Sequence, residues 1–254
     1  MTTIFAGLPF YDAVTKQDKN RTHSVIPFYC PTTHLPPFVI CDAVAELPAT
    51  IDYFLVSCSD LASGGTEITA YFSAEPTIVS TATNFYAIYD GTTLAMALPK
   101  GTYFLRADSS AGNSYYSEHF IVTAMPSGEW IKLAFSNTAD LGDIPYSEGF
   151  TQIVYLNTKM NYPANEYIEV GEEKDGVFIA EKLVTKYLFR ISDYVSRALH
   201  RVLVRLPQHD SITITDEVGN VYTPAVGNAI IQTSDWVSFE TCHIVIQFND
   251  GNSV

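Results

Sequence analysis

From Phe38 to Thr123 the chain is a run of short apolar segments broken by turn residues: FVICDAV, TIDYFLVSC, TEITAYFS, NFYAIYDG, TLAMALP, TYFLRAD and YYSEHFIVT. Ser63-Gly64-Gly65, Asp90-Gly91, Lys100-Gly101 and Ala111-Gly112-Asn113 separate them. Short strand-like segments between turn residues suit pleated strands, and glycine supplies the backbone angles that tight reversals need. Strands at this regular spacing predict an immunoglobulin-like β-sandwich over residues 38–125. TYFLRAD and YYSEHFIVT, joined by SSAGNS, read as one β-hairpin. The 16 Tyr and 15 Phe support a mainly β fold, because aromatic side chains fit half-buried pleated surfaces.

The flanks read differently. Residues 1–37 suit an extended N-terminal arm, since Pro36 and Pro37 fit neither a helix interior nor a central strand. A boundary is expected at Met125-Pro126-Ser127-Gly128. Beyond it, EWIKLAFSN, TQIVYLNT, VFIAEKLVTKYLFRI, SITITD, GNAIIQTSDW and ETCHIVIQF read as strands. One helix is expected to start at Ser192 or Asp193, either of which can cap it. Val195, Leu199, Val202 and Leu206 would form its buried stripe, and Pro207 would end it. Residues 126–254 therefore read as an α+β domain with one main helix on an antiparallel sheet.

Charge is divided sharply within that second half. The chain carries 28 acidic against 14 basic residues, a formal charge of -14. EYIEVGEEKDG holds Glu166, Glu169, Glu172, Glu173 and Asp175 with a single lysine, and reads as an acidic loop. The segment after it gathers Lys182, Lys186, Arg190, Arg197, Arg201 and Arg205, six of the chain's 14 basic residues. Arg197, Arg201 and Arg205 fall at i, i+4 and i+8, one face of the expected helix, with His200 beside them. A solvated helix surface is the commonest fate of such a stripe. Against it, Asp193 is the only acid between Lys182 and Arg205, and arginine suits forked contacts to carboxylates. Two complementary faces on one subunit predict head-to-tail binding of copies in a ring, acidic loop to arginine helix. DNA threading the lumen of such a ring is the other reading of the arginines. The negative charge of the whole chain argues against non-specific nucleic-acid binding.

Enzyme signatures are missing from the sequence: there is no G-x-S-x-G, H-E-x-x-H, G-x-x-x-x-G-K or dinucleotide fingerprint. No catalytic residue, cofactor site or metal site is assigned. The acidic turns Asp140–Glu148 and Asp216–Asn220 carry oxygen ligands but lack the spacing of a calcium loop, and read first as turns. Cys30, Cys41, Cys58 and Cys242 have no paired spacing, so buried free thiols in a reducing compartment are expected. A disulfide among the first three is the alternative. No apolar run reaches transmembrane length, and the N-terminus lacks the pattern of a secretion signal. Tyr103, Tyr115 and Tyr116, with Phe104 and Phe120, form a candidate glycan platform, although strand alternation explains the same aromatics. Trp130 and Trp236 read as core or interface anchors.

Two stretches resemble a known family. G-x-YFL…YYSEHFIV from Gly101 to Val122 resembles a hairpin found in tail-associated proteins of phages and prophages of Bacteroides-type bacteria, crAss-like phages included. FTQIVYLNT, EYIEVGEEKDGVFIAEKLVTKYLFRI, ALHRV, HDSITI and the closing W…C-x-I-V-I-Q-F resemble the same family in order and spacing. Thr102-Tyr103-Phe104 departs from its usual paired tyrosines. The resemblance implies a structural virion protein of the tail, baseplate or neck, assembled in the bacterial cytoplasm. Its partners would be copies of itself and other tail or portal proteins, without a membrane. A carbohydrate-binding adhesin for a host glycan is the alternative.

Overall fold

The computed structural model describes residues 10–12, 28–60, 64–126, 128–141, 144–174, 177–224, 230–236 and 241–249. The strands of the first half are β1 (Phe10–Asp12), β2 (Phe28–Pro31), β3 (Phe38–Ala43), β4 (Ile51–Ser57), β5 (Thr66–Glu67), β6 (Thr77–Ser80), β7 (Asn84–Tyr89), β8 (Gly101–Ser109), β9 (Ser114–Ser117) and β10 (Phe120–Thr123).

β8 organises this half. Tyr103, Leu105, Ala107 and Ser109 are buried while the residues between them stay partly exposed, the alternation of a strand with one face in the core. Its first edge pairs with β4 from Ile51↔Ser109 to Ser57↔Tyr103, and β5 extends that side. Its second edge pairs with β10 near Tyr103 and with β9 near Arg106, so the expected hairpin forms but bends at Glu118–His119. β2 adds to β10 in parallel, and β1 to β9 antiparallel, so residues of the expected arm extend this sheet. A second sheet, ordered β3-β7-β6, lies against it. Phe38 of β3 meets Tyr53 of β4 with ring centroids 5.6 Å apart, and Phe72 contacts both Tyr53 and Tyr89 at 5.1 Å.

Two expected strands are corrected. TEITAYFS is extended only at Thr66–Glu67 and then turns through a 3-10 helix at Thr69–Tyr71. TLAMALP is irregular: Leu94 and Leu98 are buried, and their N–H groups donate to the carbonyls of Thr33 and Thr32. Its backbone is satisfied by a loop rather than a ladder, which alternation alone does not reveal.

The second half contains β11 (Ile131–Ser136), β12 (Gln152–Leu156), β13 (Met160–Lys174), β14 (Val177–Ser196), α1 (Arg197–Leu203), β15 (Ser211–Thr215), β16 (Val221–Tyr222), β17 (Ile230–Trp236) and β18 (Thr241–Asn249). They make two antiparallel four-stranded sheets, β12-β11-β15-β16 and β13-β14-β18-β17. The expectation of one main helix on a sheet is corrected here. Ser192 and Asp193 do not cap a helix; they pair with Val245 and Ile244 as part of β14. Only Arg197–Leu203 is helical, seven residues long. Pairing with a strand about 50 residues away gives these residues ladder hydrogen bonds along one edge in place of the local bonds of a longer helix.

The apolar core runs from Phe28 and Phe38 through Leu133 and Leu199 to Phe248. A satellite cluster covers the outer side of β3 and β7, where Val39, Cys41 and Ile88 meet Ile144, Tyr146 and Phe150. The segment ending at Phe150 therefore joins the two halves. No helix among the described residues is long and apolar enough to cross a membrane.

Candidate assembly interface

The acidic segment is not a loop. Glu166–Lys174 lies within β13 and pairs antiparallel with β14 of the same chain, Glu166 opposite Lys186, Glu169 opposite Leu183, Glu172 opposite Ile179 and Glu173 opposite Phe178. Asp175 and the side chains of these glutamates lie outside the described residues, as do those of Arg190, Arg197 and Arg201. In register, Glu166 alone of these glutamates stands opposite a base, and the other three stand opposite apolar residues.

The hairpin outruns its sheet. β18 pairs with β14 only from Leu188 to Ser196. From Ala164 to Tyr187, among the described residues, β13 and β14 pair only with each other. At roughly 3.3 Å per residue that ribbon is on the order of 30 Å long. Register shifts between Asn161/Ala164 and Val170/Gly171 mark bulges, which bend and twist a ribbon.

The expected arginine stripe is divided among three elements. Arg190 sits in β14, opposite Asn161 on one side and Gln247 on the other. Arg197 and Arg201 lie in α1, whose Leu199, Val202 and Leu203 are buried. Arg205 falls beyond the end of α1 and leads into the 3-10 turn Leu206–Gln208. The three arginines at spacing four therefore do not share one helix face.

The three candidate tyrosines do not share one exposed face. Tyr103 and Tyr115 point into the core, 9% and 2% exposed, while Tyr116 lies on the other side of its strand beside Phe104, ring centroids 6.3 Å apart. Tyr115 donates to Asp42 at 2.8 Å, tying the two facing sheets together. Burial raises its hydroxyl well above the usual tyrosine range. On the solvent side, the Arg106 guanidinium lies 4.2 Å from the Phe54 ring centroid and pairs with Asp108 at 3.0 Å. Trp130 packs edge-on to Tyr29 at 5.0 Å, and the Trp236 side chain lies outside the described residues.

One polar cluster was not foreseen. Tyr146, Gln152 and His209 are all buried, beneath the segment that joins the halves. The Tyr146 oxygen lies 2.6 Å from His209 Nε2 and 3.3 Å from the Gln152 side-chain amide. His209 Nδ1 donates to the Arg205 carbonyl at 2.8 Å, which fixes the neutral tautomer with Nε2 as acceptor. Burial lowers the histidine pKa and raises that of the tyrosine. Its partners stand 63 and four residues away, so nothing in local sequence marks it.

Among the described residues, no group of three His, Cys, Asp or Glu is placed to hold a metal ion. Asp216 is saturated internally: it accepts from the N–H groups of Val218 and Asn220, the Asn220 amide and the Tyr222 hydroxyl. Asp140 accepts from Ser147 N–H at 2.8 Å, and Asp143 lies outside the described residues. Cys30 and Cys58 are free thiols, and burial pushes the Cys30 thiol far up. No protein-family model, curated protein or solved structure matches the chain.

Proposed function

We propose that this chain is a structural subunit of a bacteriophage virion, in the tail, baseplate or neck, acting by assembly with copies of itself. The observation that carries the reading is the β13–β14 ribbon, which extends past the sheet that roots it and presents long strand edges. Unpaired strand edges template pairing with another chain, and folded proteins usually cover or shorten them unless a partner uses them. Segregated charge supports head-to-tail contact, with β13 acidic and the stretch from Lys182 through Arg190, Arg197 and Arg201 to Arg205 basic. The resemblance of the hairpin segments to phage tail proteins supports the virion setting.

The first half is built of two facing β-sheets. β3-β7-β6 faces β5-β4-β8-β9/β10, with β2 parallel to the last strand. Such a module beside an oligomerising hairpin suits a scaffold protein.

Light-scattering mass of the purified full chain across a concentration series tests assembly; a closed multimer is expected. A chain that stays monomeric at every concentration removes the reading. Reversal at Arg197→Glu with Arg201→Glu is expected to weaken the multimer, and an unchanged multimer removes those arginines from the contact. Antibody raised against the chain is expected to label phage particles, and failure to label them removes the virion setting.

A further inference from the structure

We infer that the subunits join by adding β13 of one copy to the outer edge of β14 in the next, over Val177–Tyr187. This rests on the assembly reading and names its contact. The occupant is a second copy of this chain, and three observations point to it.

The first is edge availability. Among the described residues, Val177–Tyr187 pairs only with β13, and β13 pairs only with β14. One hairpin therefore offers two edges of matching length, each with alternate N–H and C=O groups turned outward.

The second is polarity. β13 from Ala164 to Lys174 carries four glutamates and one lysine. The β14 edge from Val177 to Tyr187 carries two lysines and one glutamate, followed by Arg190. An acidic strand meets a basic one only when unlike edges join; like edges repel. The charge pattern thus selects the heterologous, head-to-tail contact over a two-fold symmetric one.

The third is direction. β13 and β14 are antiparallel within the hairpin. Copies related by rotation about one axis point their hairpins the same way, so the order β13-β14-β13-β14 is antiparallel at every junction. Rotational assembly and regular ladder pairing are therefore compatible without any strand reversing.

The test uses the full chain. Glu169→Lys with Glu172→Lys makes both edges basic, and Lys182→Glu with Lys186→Glu makes both acidic. Each double variant alone is expected to raise the concentration needed for assembly by about tenfold or more. An equimolar mixture of the two is expected to assemble again, because acidic and basic edges then alternate between copies. Hydrogen exchange on the unaltered protein supplies a measurement independent of variant folding. Alternate amides of β13 and of Val177–Tyr187 are expected to gain protection when monomer becomes multimer. If the multimer forms normally in both variants, or the gained protection maps elsewhere, the edge contact is wrong while the assembly reading stands. A wild-type chain that never assembles removes both.

Discussion

The Tyr146 hydroxyl sits 2.6 Å from His209 Nε2, and the two buried rings meet edge to face with centroids 5.1 Å apart. Phe135 closes the other side of the imidazole at 4.7 Å. The tyrosine belongs to the segment that covers the β3–β7 sheet, whereas the histidine follows the turn after α1. Within the second half, this hydrogen bond therefore anchors the segment that packs on β3 and β7, through a polar pair inside apolar surroundings.

Tyr146→Phe keeps the ring and removes the partner of His209 Nε2. A buried acceptor left unsatisfied costs about 1–3 kcal/mol. Urea unfolding should show a loss of that size with an unchanged denaturant slope. A neutral result would mean that the bond contributes nothing net.

His209 also sets a pH dependence. Burial lowers its pKa below the usual 6.5, outweighing the Arg205 and Leu206 carbonyls and Asp210, which raise it. The folded chain thus binds fewer protons than the unfolded one as pH falls. Stability is complete above about pH 6.5 and declines as pH drops toward the folded pKa. His34 and His200 are lowered by burial as well, and add to the same slope. Unfolding free energy measured from pH 7.5 down to pH 5 should fall, and His209→Gln should flatten part of that fall.

Gly91 holds a positive φ of 82° in the turn after β7, and an added Cβ would come within 2.9 Å of Pro37 and 3.1 Å of Ile153. Gly91→Ala therefore combines left-handed strain with overpacking between the halves, and should cost about 2–4 kcal/mol. Gly112, at φ 93° with open space around it, isolates the strain alone. Gly112→Ala should cost about 1–2 kcal/mol. Equal melting-temperature losses for the two would show that the Pro37–Ile153 contact is unimportant.

Asp216 accepts four hydrogen bonds at the turn between β15 and β16. Burial opposes its charge, but those bonds together hold its carboxyl below the usual range. Its contribution is present above about pH 4 and is lost as pH falls through the folded pKa. Asp216→Ala should destabilise by about 1–2 kcal/mol. The same loss in calcium and in chelator would follow from a turn role, and a calcium-dependent loss would contradict it.

Local sequence carried much of the strand content. β3, β4, β7, β8, β11, β12, β15, β17 and β18 lie where alternation or apolar runs place them, because one buried face imposes a period of two. Residues 192–196 show the limit of such reasoning. Ser192 or Asp193 as a cap, with Val195 and Leu199 at helical spacing, is a sound local pattern. In the fold, Ser192–Ser196 instead pair with Thr241–Val245, and only from Arg197 onward is the chain helical. Helix propensity differs among ordinary residues by only tenths of a kcal/mol, so a distant ladder overrides it. The acidic stretch departs from the expected loop for a related reason: its charge suits solvent, while its Tyr167-Ile168 and Val170 suit a strand equally well.

By itself, the sequence determined a mainly β chain, its principal turns and the division of charge between neighbouring segments, since these follow from residue types and their spacing. Only the tertiary structure decided that acidic and basic segments pair first within one hairpin, that Tyr103 and Tyr115 are buried while Tyr116 is not, and that Tyr146 meets His209. Each of those relationships depends on bringing separated backbone groups or side chains into register. That selection is made by satisfying buried polar groups and closing the core across the whole chain.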